Sequence, residues 1–239
     1  MSMVRTLALI SFTMAVMLAP SSVGSQQKPP APPPSQQTQD AAKAPVYKPP
    51  LRGAPRGRIG GGTRGTGSDS LALSVLAPDH SGLTTHEQPS LYWVISNPTV
   101  LAVEVTLMDP RAAEPLLETR IPGPIQAGLH RVRLNDYGVK LEPGVPYRWY
   151  VAVIPDAGRR SKDILAGGII ERVEPAADLQ ERLARGRPEE LASIYAEAGF
   201  WYDALAASSE AIEHSPGEEG LRQQRAALLS QVGLPVPRE

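Results

Sequence analysis

Four arginines within a short segment rich in glycine and proline are the most distinctive candidates for chemistry in this sequence. Each guanidinium carries several N–H donors in one plane, which suits paired hydrogen bonds to a carboxylate or a phosphate. Glycine lets a backbone pass close to another surface. Residues 48–67 are therefore predicted either to be a flexible, solvated lead-in to the folded domain or to form a basic strap. Such a strap would bind a partner or tie parts of the protein together through Arg52, Arg56, Arg58 and Arg64.

This segment does not match a phosphate-binding loop. The run Gly60–Gly65 lacks the lysine that would follow its last glycine, and a strand-like pattern rather than a helical one comes after it. Segments rich in glycine and arginine can also bind RNA, but no aromatic residue alternates with these arginines. Nucleic-acid binding is the least favoured alternative, and no nucleic-acid partner is expected.

Three short aromatic clusters are a second candidate for recognition. Adjacent residues of a strand point to opposite faces, so two neighbouring aromatic side chains cannot both enter one core. The outward members either pack beneath helices or form a platform for a ligand such as a sugar ring or a peptide. The residues chosen as candidates for an aromatic surface are Trp93, Trp149, Trp201 and Tyr202.

Other kinds of chemistry have little support in the sequence. The chain has no cysteine, which excludes thiolate nucleophiles and thiolate metal sites, and its four histidines lack metal-site spacing. We therefore expect neither a metal nor a cofactor. The enzymatic alternative is an envelope hydrolase that acts on a glycan or a peptide with paired carboxylates from Asp109, Glu114 and Glu118.

The N-terminus resembles a secretory leader followed by a spacer. Arg5 precedes an apolar run, Leu7–Leu18, and small residues lead to Ser25, so residues 1–25 are predicted to be a signal peptide cleaved near Ser25. The apolar run is too short for a stable transmembrane anchor. Residues 26–47 are rich in proline and glutamine and predict a disordered spacer. The mature protein is expected in the periplasm or outside the cell.

The elements that must position these side chains are short strands followed by helices. Within Ala102–Met108, for example, Val103, Val105 and Leu107 alternate with less apolar residues, which predicts one buried and one solvated face. We predict an α+β protein with an antiparallel, immunoglobulin-like β-sandwich over residues 68–174. The strands are predicted at Leu71–Leu76, Leu91–Ser96, Ala102–Met108, Leu116–Ile121, Leu129–Leu134, Tyr147–Ile154 and Ile164–Val173.

After Pro175 the spacing of apolar residues becomes helical, which predicts a small cap of three to four helices over residues 175–234 and a tail at 235–239. Two of these helices resemble one degenerate tetratricopeptide unit, in which Tyr195 matches the aromatic position of the first helix, Gly199 the turn and Pro216 the closing proline. Since a single unit cannot form a solenoid, packing against the sandwich is favoured over a peptide-binding groove.

Several motifs follow one another along the chain. They are Tyr47–Gly65, Pro89–Trp93, Leu141–Trp149, Gly167–Arg172 and the G-F-W-Y-D-A-L tract at Gly199–Leu205. Together, in this order, they resemble domain-of-unknown-function family 928, whose members look like exported bacterial proteins. The resemblance implies no established activity, cofactor or catalytic residue. It adds the hypothesis that the arginine strap or Asp203, a possible partner of the strap, ties the helices to the sandwich.

The sequence therefore predicts an exported, non-catalytic binding or assembly module of the cell envelope. Its expected partner is an envelope protein or a cell-wall component. The hydrolase and the nucleic-acid-binding protein remain the alternatives.

Overall fold

Short strands of alternating burial come first in the structure, and helices follow them. The computed structural model describes residues 44–50, 57–60, 63–64 and 70–237. The predicted signal peptide, most of the spacer, Arg52 and Arg56 lie outside these residues. The described strands are β1 (Thr63–Arg64), β2 (Leu71–Val75), β3 (Gly82–Thr84), β4 (Ser90–Ile95), β5 (Ala102–Met108), β6 (Leu117–Ile121), β7 (Gly128–Arg133), β8 (Pro146–Ile154) and β9 (Ile164–Arg172).

These strands form two sheets. The four-stranded sheet has the order β1-β2-β4-β7 and is antiparallel throughout. The five-stranded sheet has the order β3-β9-β8-β5-β6, and its strands are antiparallel except for the parallel pair β3–β9.

Period-two burial fixes which face of each strand meets the core. In β5, Val103, Val105 and Leu107 are fully buried, and the residues between them are partly exposed. Side chains from both sheets join one hydrophobic cluster, as expected when each sheet buries one face. The predicted α+β class is confirmed, whereas both the sandwich arrangement of the two sheets and its immunoglobulin-like form stay predictions.

In the described part of the chain, four α-helices follow the last strand. They are α1 (Ala177–Arg185), α2 (Leu191–Glu197), α3 (Trp201–His214) and α4 (Glu219–Gln231). Among them α3 is buried most extensively, and it packs against β3 and β4. The likeness of α2 and α3 to a tetratricopeptide unit stays a prediction.

Two N-terminal pieces, residues 44–50 and 57–60, lie against this body. From here on the strap means residues 44–67, of which the structure describes 44–50, 57–60 and 63–64. Pro45 and Tyr47 are already buried, so packing begins before the predicted spacer boundary at residue 47. Ile59 pairs with Gly167 in the five-stranded sheet, and β1 then pairs with β2 in the other sheet. The chain therefore passes from one sheet to the other within its glycine-rich segment.

Candidate functional site

The first turn of α3 anchors the helices to both sheets through three consecutive residues. The Trp201 indole donates a hydrogen bond to the carbonyl oxygen of Leu76, directly after β2, at 2.8 Å. The Tyr202 hydroxyl accepts from Trp149 Nε1 in β8 at 2.8 Å and donates to Ile169 O in β9 at 3.0 Å. Both aromatic side chains are fully buried, and their polar atoms are satisfied there, as buried polar groups require.

Asp203 completes this anchor by binding β3 and the residue after it. Its carboxyl group accepts from Thr84 Oγ1 at 2.5 Å, from Thr85 N at 2.7 Å and from Thr85 Oγ1 at 2.8 Å. Burial raises the pKa of Asp203, while the nearby His86 and the donors on Thr84 and Thr85 act in the opposite direction. Among the described residues, the hydrogen-bond partners of Asp203 are thus threonines, and its pairing with a strap arginine stays a prediction.

The turn before α3 depends on a glycine. Gly199 has a φ of +86°, a region that side-chain-bearing residues rarely adopt, and a Cβ built there would lie 2.9 Å from the carbonyl oxygen of Lys48. The strap passes directly over this turn, since Lys48 N donates to Ala196 O at 3.0 Å. One residue therefore allows both the reversal of the chain and the docking of the strap.

The aromatic surface proposed from the sequence is absent at the four chosen positions. The side chains at these positions are fully buried, each with a relative exposure of 0%: Trp93, Trp149, Trp201 and Tyr202. Trp93 and Trp149 lie on inward faces of their strands, and the two helical residues enter the junction between helices and sheets. Their function is internal packing, which was the alternative considered for the outward set.

Of the four strap arginines, Arg58 is the one whose side chain the structure describes. Its Nε lies 2.9 Å from Asp79 Oδ1, and its Nη1 donates to Val232 O at 3.3 Å and Ala77 O at 3.5 Å. Arg58 therefore joins the loop after β2 to the end of α4. For Arg64 the structure describes only the backbone, which pairs with Leu71.

The other half of the strap is held by Gln231 at the end of α4. The Gln231 amide accepts from Tyr47 N at 2.9 Å and donates to Pro45 O at 2.7 Å. The Tyr47 ring packs edge-on against Trp201, and its hydroxyl lies 2.8 Å from His80 Nε2. Burial lowers the pKa of His80, and the neighbouring Asp79 partly offsets this effect.

The outer face of the five-stranded sheet carries a different set of side chains, several of which are partly exposed. Cross-strand pairs place Thr106 beside Tyr150 and Ala152 beside Leu165. A hollow of about 410 Å³ lies over this face. Leu165 is 40% exposed, so the described part of the chain leaves the hollow accessible.

Arg160 lies in the turn between β8 and β9, borders this face and is hydrogen-bonded to two carboxylates. It donates to Glu104 through Nη2 at 2.5 Å and Nη1 at 3.1 Å, and to Asp163 through Nε at 2.7 Å. The arginine side chain is 52% exposed, whereas the carboxylate side chains are only 15% and 10% exposed. Hydrogen bonding from Arg160 lowers the pKa of Glu104, so this carboxylate stays ionised. The arrangement presents a guanidinium with N–H donors to spare in a hollow that Tyr150 also lines.

Sequence reasoning missed this cluster. Glu104 and Arg160 are 56 positions apart, and strand register brings them together. The usable signal was the outward position of Glu104 in the alternating pattern of β5, with Asp163 just before β9.

The carboxylates proposed for hydrolysis do not form such a cluster. Asp109 accepts from Arg111 at 2.6 and 2.9 Å, and these hydrogen bonds lower the pKa of Asp109 to about 2. An acid that donates a proton near neutral pH needs the opposite shift. Glu114 and Glu118 are exposed, so nothing here assembles the buried carboxylate pair that the hydrolase alternative needs.

Neither a metal site nor a membrane span is found among the described residues. Their histidine, aspartate and glutamate side chains form no group of three or more that could hold a metal ion. None of the described helices has both the length and the apolar character needed to cross a bilayer.

Comparison with known proteins gives a family. The model of the family described as Domain of Unknown Function (DUF928) matches residues 59–236, and the chain therefore belongs to that family. No curated protein matches the chain.

Proposed function

We propose that this member of the DUF928 family is an exported, non-catalytic binding module of the cell envelope, and that it recognises an envelope protein or a cell-wall component through the outer face of its five-stranded sheet. The observation that carries the proposal is Arg160, a half-exposed guanidinium fixed by two largely buried carboxylates on an open sheet face.

The chemistry of this face suits recognition. Arginine and tyrosine are enriched among residues that dominate binding energy, because they combine apolar contact area with directional hydrogen bonds. Glu104 and Asp163 hold the Arg160 guanidinium in place before a partner arrives, which reduces the entropy lost on binding. Tyr150 and Leu165 add apolar surface beside this cation.

Export is the second half of the proposal and rests on the sequence. The leader-like residues 1–25 and the proline-rich spacer support it, and the spacer would hold the folded body away from the surface to which the N-terminus leads. Comparing the N-terminus of protein recovered from the cell envelope with that of the full chain tests this point. Material beginning at Met1 would contradict cleavage near Ser25.

Binding can be tested by co-sedimentation of residues 26–239 with washed cell-wall material and, separately, by binding to solubilised envelope proteins. Arg160→Gln and Tyr150→Ala should each weaken binding at least about tenfold, which corresponds to about 1.4 kcal/mol. Arg111→Gln is a matched control, because Arg111 is 53% exposed and also bridges two carboxylates, Asp109 and Glu142.

The control separates recognition from a general loss of charge. If both Arg160→Gln and Arg111→Gln bound as tightly as the unchanged protein, the outer face would not be the recognition surface. Equal thermal unfolding of the two variants would show that the comparison concerns binding and not folding.

A further inference from the structure

Strand β6, at one edge of the five-stranded sheet, has a self-complementary sequence. Among the described strands, β6 pairs with β5 alone, and its other edge offers backbone N–H and C=O groups to a further strand. The strand reads Leu-Glu-Thr-Arg-Ile, with Thr119 at its centre. Two antiparallel copies centred on Thr119 would place Glu118 of each copy opposite Arg120 of the other.

We propose that β6 is a homodimer interface, at which two copies of this chain pair antiparallel about a two-fold axis at Thr119 and continue their five-stranded sheets into one. This inference is independent of the proposed recognition face.

Charge selects this register over its neighbours. A shift of the pairing by two positions along one strand centres it on Glu118 or on Arg120 and places like charges directly opposite each other, which destabilises a strand pair. A shift by one position sets outward residues against inward ones: it places either Glu118 opposite Ile121 or Arg120 opposite Leu117, and the remaining charged residue opposite Thr119. The register centred on Thr119 alone pairs opposite charges on the outer face and Leu117 with Ile121 on the inner face.

Exposed apolar side chains surround the same edge and would be covered by the second copy. Leu116, immediately before β6, is 40% exposed, and Tyr137, whose hydroxyl lies 3.4 Å from Thr119 Oγ1, is 43% exposed. Val100 is 83% exposed, and its backbone contacts Gly123 just after β6. In an antiparallel pair the start of one strand meets the end of the other, so Leu116 would approach Val100 of the second copy.

Strand β7, at one edge of the four-stranded sheet, cannot pair with a second copy of itself through opposite charges. Strand β7 reads Gly-Leu-His-Arg-Val-Arg and contains no acidic residue, so two copies of it could not form opposite-charge pairs. This contrast supplies a control strand within the same protein.

The geometry also has a consequence for binding. A two-fold axis perpendicular to a continuous sheet keeps both outer faces on the same side, so a dimer would present two Arg160 clusters together. Simultaneous attachment of both clusters to one extended surface would raise the apparent affinity without any new contact.

Charge reversal tests the pairing by sedimentation velocity from 1 μM to 1 mM, a range of about a thousandfold that covers weak dimers. Glu118→Arg and Arg120→Glu alone should each raise the dimer dissociation constant about tenfold or more, since each replaces two attractive cross-strand pairs by repulsive ones. An equimolar mixture of the two variants restores opposite charges at every pair and should form a heterodimer. Circular dichroism of each variant checks that it is folded.

A cysteine placed on the predicted two-fold axis gives a second, independent test. Because the chain contains no cysteine, Thr119→Cys can form only a 119–119 disulfide between copies, and mild oxidation should cross-link it efficiently. Arg133→Cys, on the edge of β7, should not cross-link. Equal cross-linking of the two variants, a monomer throughout the concentration range, or dimerisation unaffected by either charge reversal would overturn the proposal.

Discussion

Replacing Asp203 by alanine should lower the free energy of unfolding by about 3 kcal/mol. The carboxyl group is 2% exposed and accepts three hydrogen bonds from Thr84 and Thr85. Hydrogen bonds to a charged group contribute about 1.5–3 kcal/mol each. The alanine variant no longer has to bury a carboxylate, which by itself would stabilise the fold by several kcal/mol. Against this gain, the fully buried Thr84 hydroxyl would lose its hydrogen-bond acceptor. Breaking a buried polar network in this way typically costs about 3–5 kcal/mol.

Urea unfolding followed by circular dichroism measures this change directly. In thermal unfolding the same loss corresponds to a decrease of about 6–12 °C, because 1 kcal/mol shifts the midpoint by about 2–4 °C in a domain of this size. The helices should remain helical below the transition, since the substitution acts on their attachment to β3.

Two control variants separate this anchor from general effects of removing an acid. Asp178 occupies the first turn of α1 and is exposed, so Asp178→Ala removes only the interaction with the helix dipole, about 0.3–1 kcal/mol. In a double-mutant cycle, Thr84→Val and Asp203→Ala together should cost less than the sum of the single changes, because both remove the same hydrogen bond. The reasoning fails if Asp203→Ala costs no more than Asp178→Ala, or if the cycle shows no coupling.

Arg58 forms the second connection between helices and sheets, and the loss of stability in Arg58→Ala can be compared with that in Asp203→Ala. Asp79, the ion-pair partner of Arg58, is 69% exposed, and exposed ion pairs contribute about 0–1 kcal/mol. We therefore expect a smaller loss than for Asp203→Ala. If neither substitution changed the unfolding midpoint, the idea that these residues attach the helices would be wrong.

Two further predictions concern the same junction. Tyr202→Phe removes the acceptor for Trp149 Nε1 and should cost about 1–3 kcal/mol in urea unfolding, whereas Tyr137→Phe, at an exposed position, should have little effect. Because burial lowers the pKa of His80 below the value of about 6.5 in the unfolded chain, the unfolded state binds a proton first as the pH falls, and stability should decrease below about pH 6.5. His80→Gln should flatten this part of the profile, and an unchanged slope would exclude His80 as its cause.

The strands could be predicted from the sequence because their signal is local. Ala102–Met108 was predicted with the bounds that the structure has, and the other predicted strands agree to within about one residue at each end. The short strands β1 and β3 were missed. Strand β3 has three residues, begins with glycine and pairs in parallel with β9, whose residues lie far along the chain.

The prediction of an exposed aromatic surface was wrong for a different reason. Period-two alternation correctly placed Tyr92 and Trp93 on opposite faces of β4, but it cannot tell whether an outer face is covered. Both residues are buried, and α3 packs against this strand. Similarly, the sequence suggests Asp203 as one possible connection between helices and sheets, but its partners Thr84 and Thr85 lie 119 and 118 positions away and have no local signature.

These contacts separate the residues that define the family resemblance from those that we propose for recognition. In the G-F-W-Y-D-A-L tract, Gly199 allows the strap to cross, and Trp201, Tyr202 and Asp203 each bind a different strand or strand end. Their polar atoms are already used within the protein, so an external ligand could reach them only by detaching the helices. Arg160, by contrast, keeps its guanidinium half exposed on a face that the helices leave open. Attachment of the helices and recognition of a partner should therefore respond to different substitutions, and a variant that affects both would indicate that the helices must move for binding to occur.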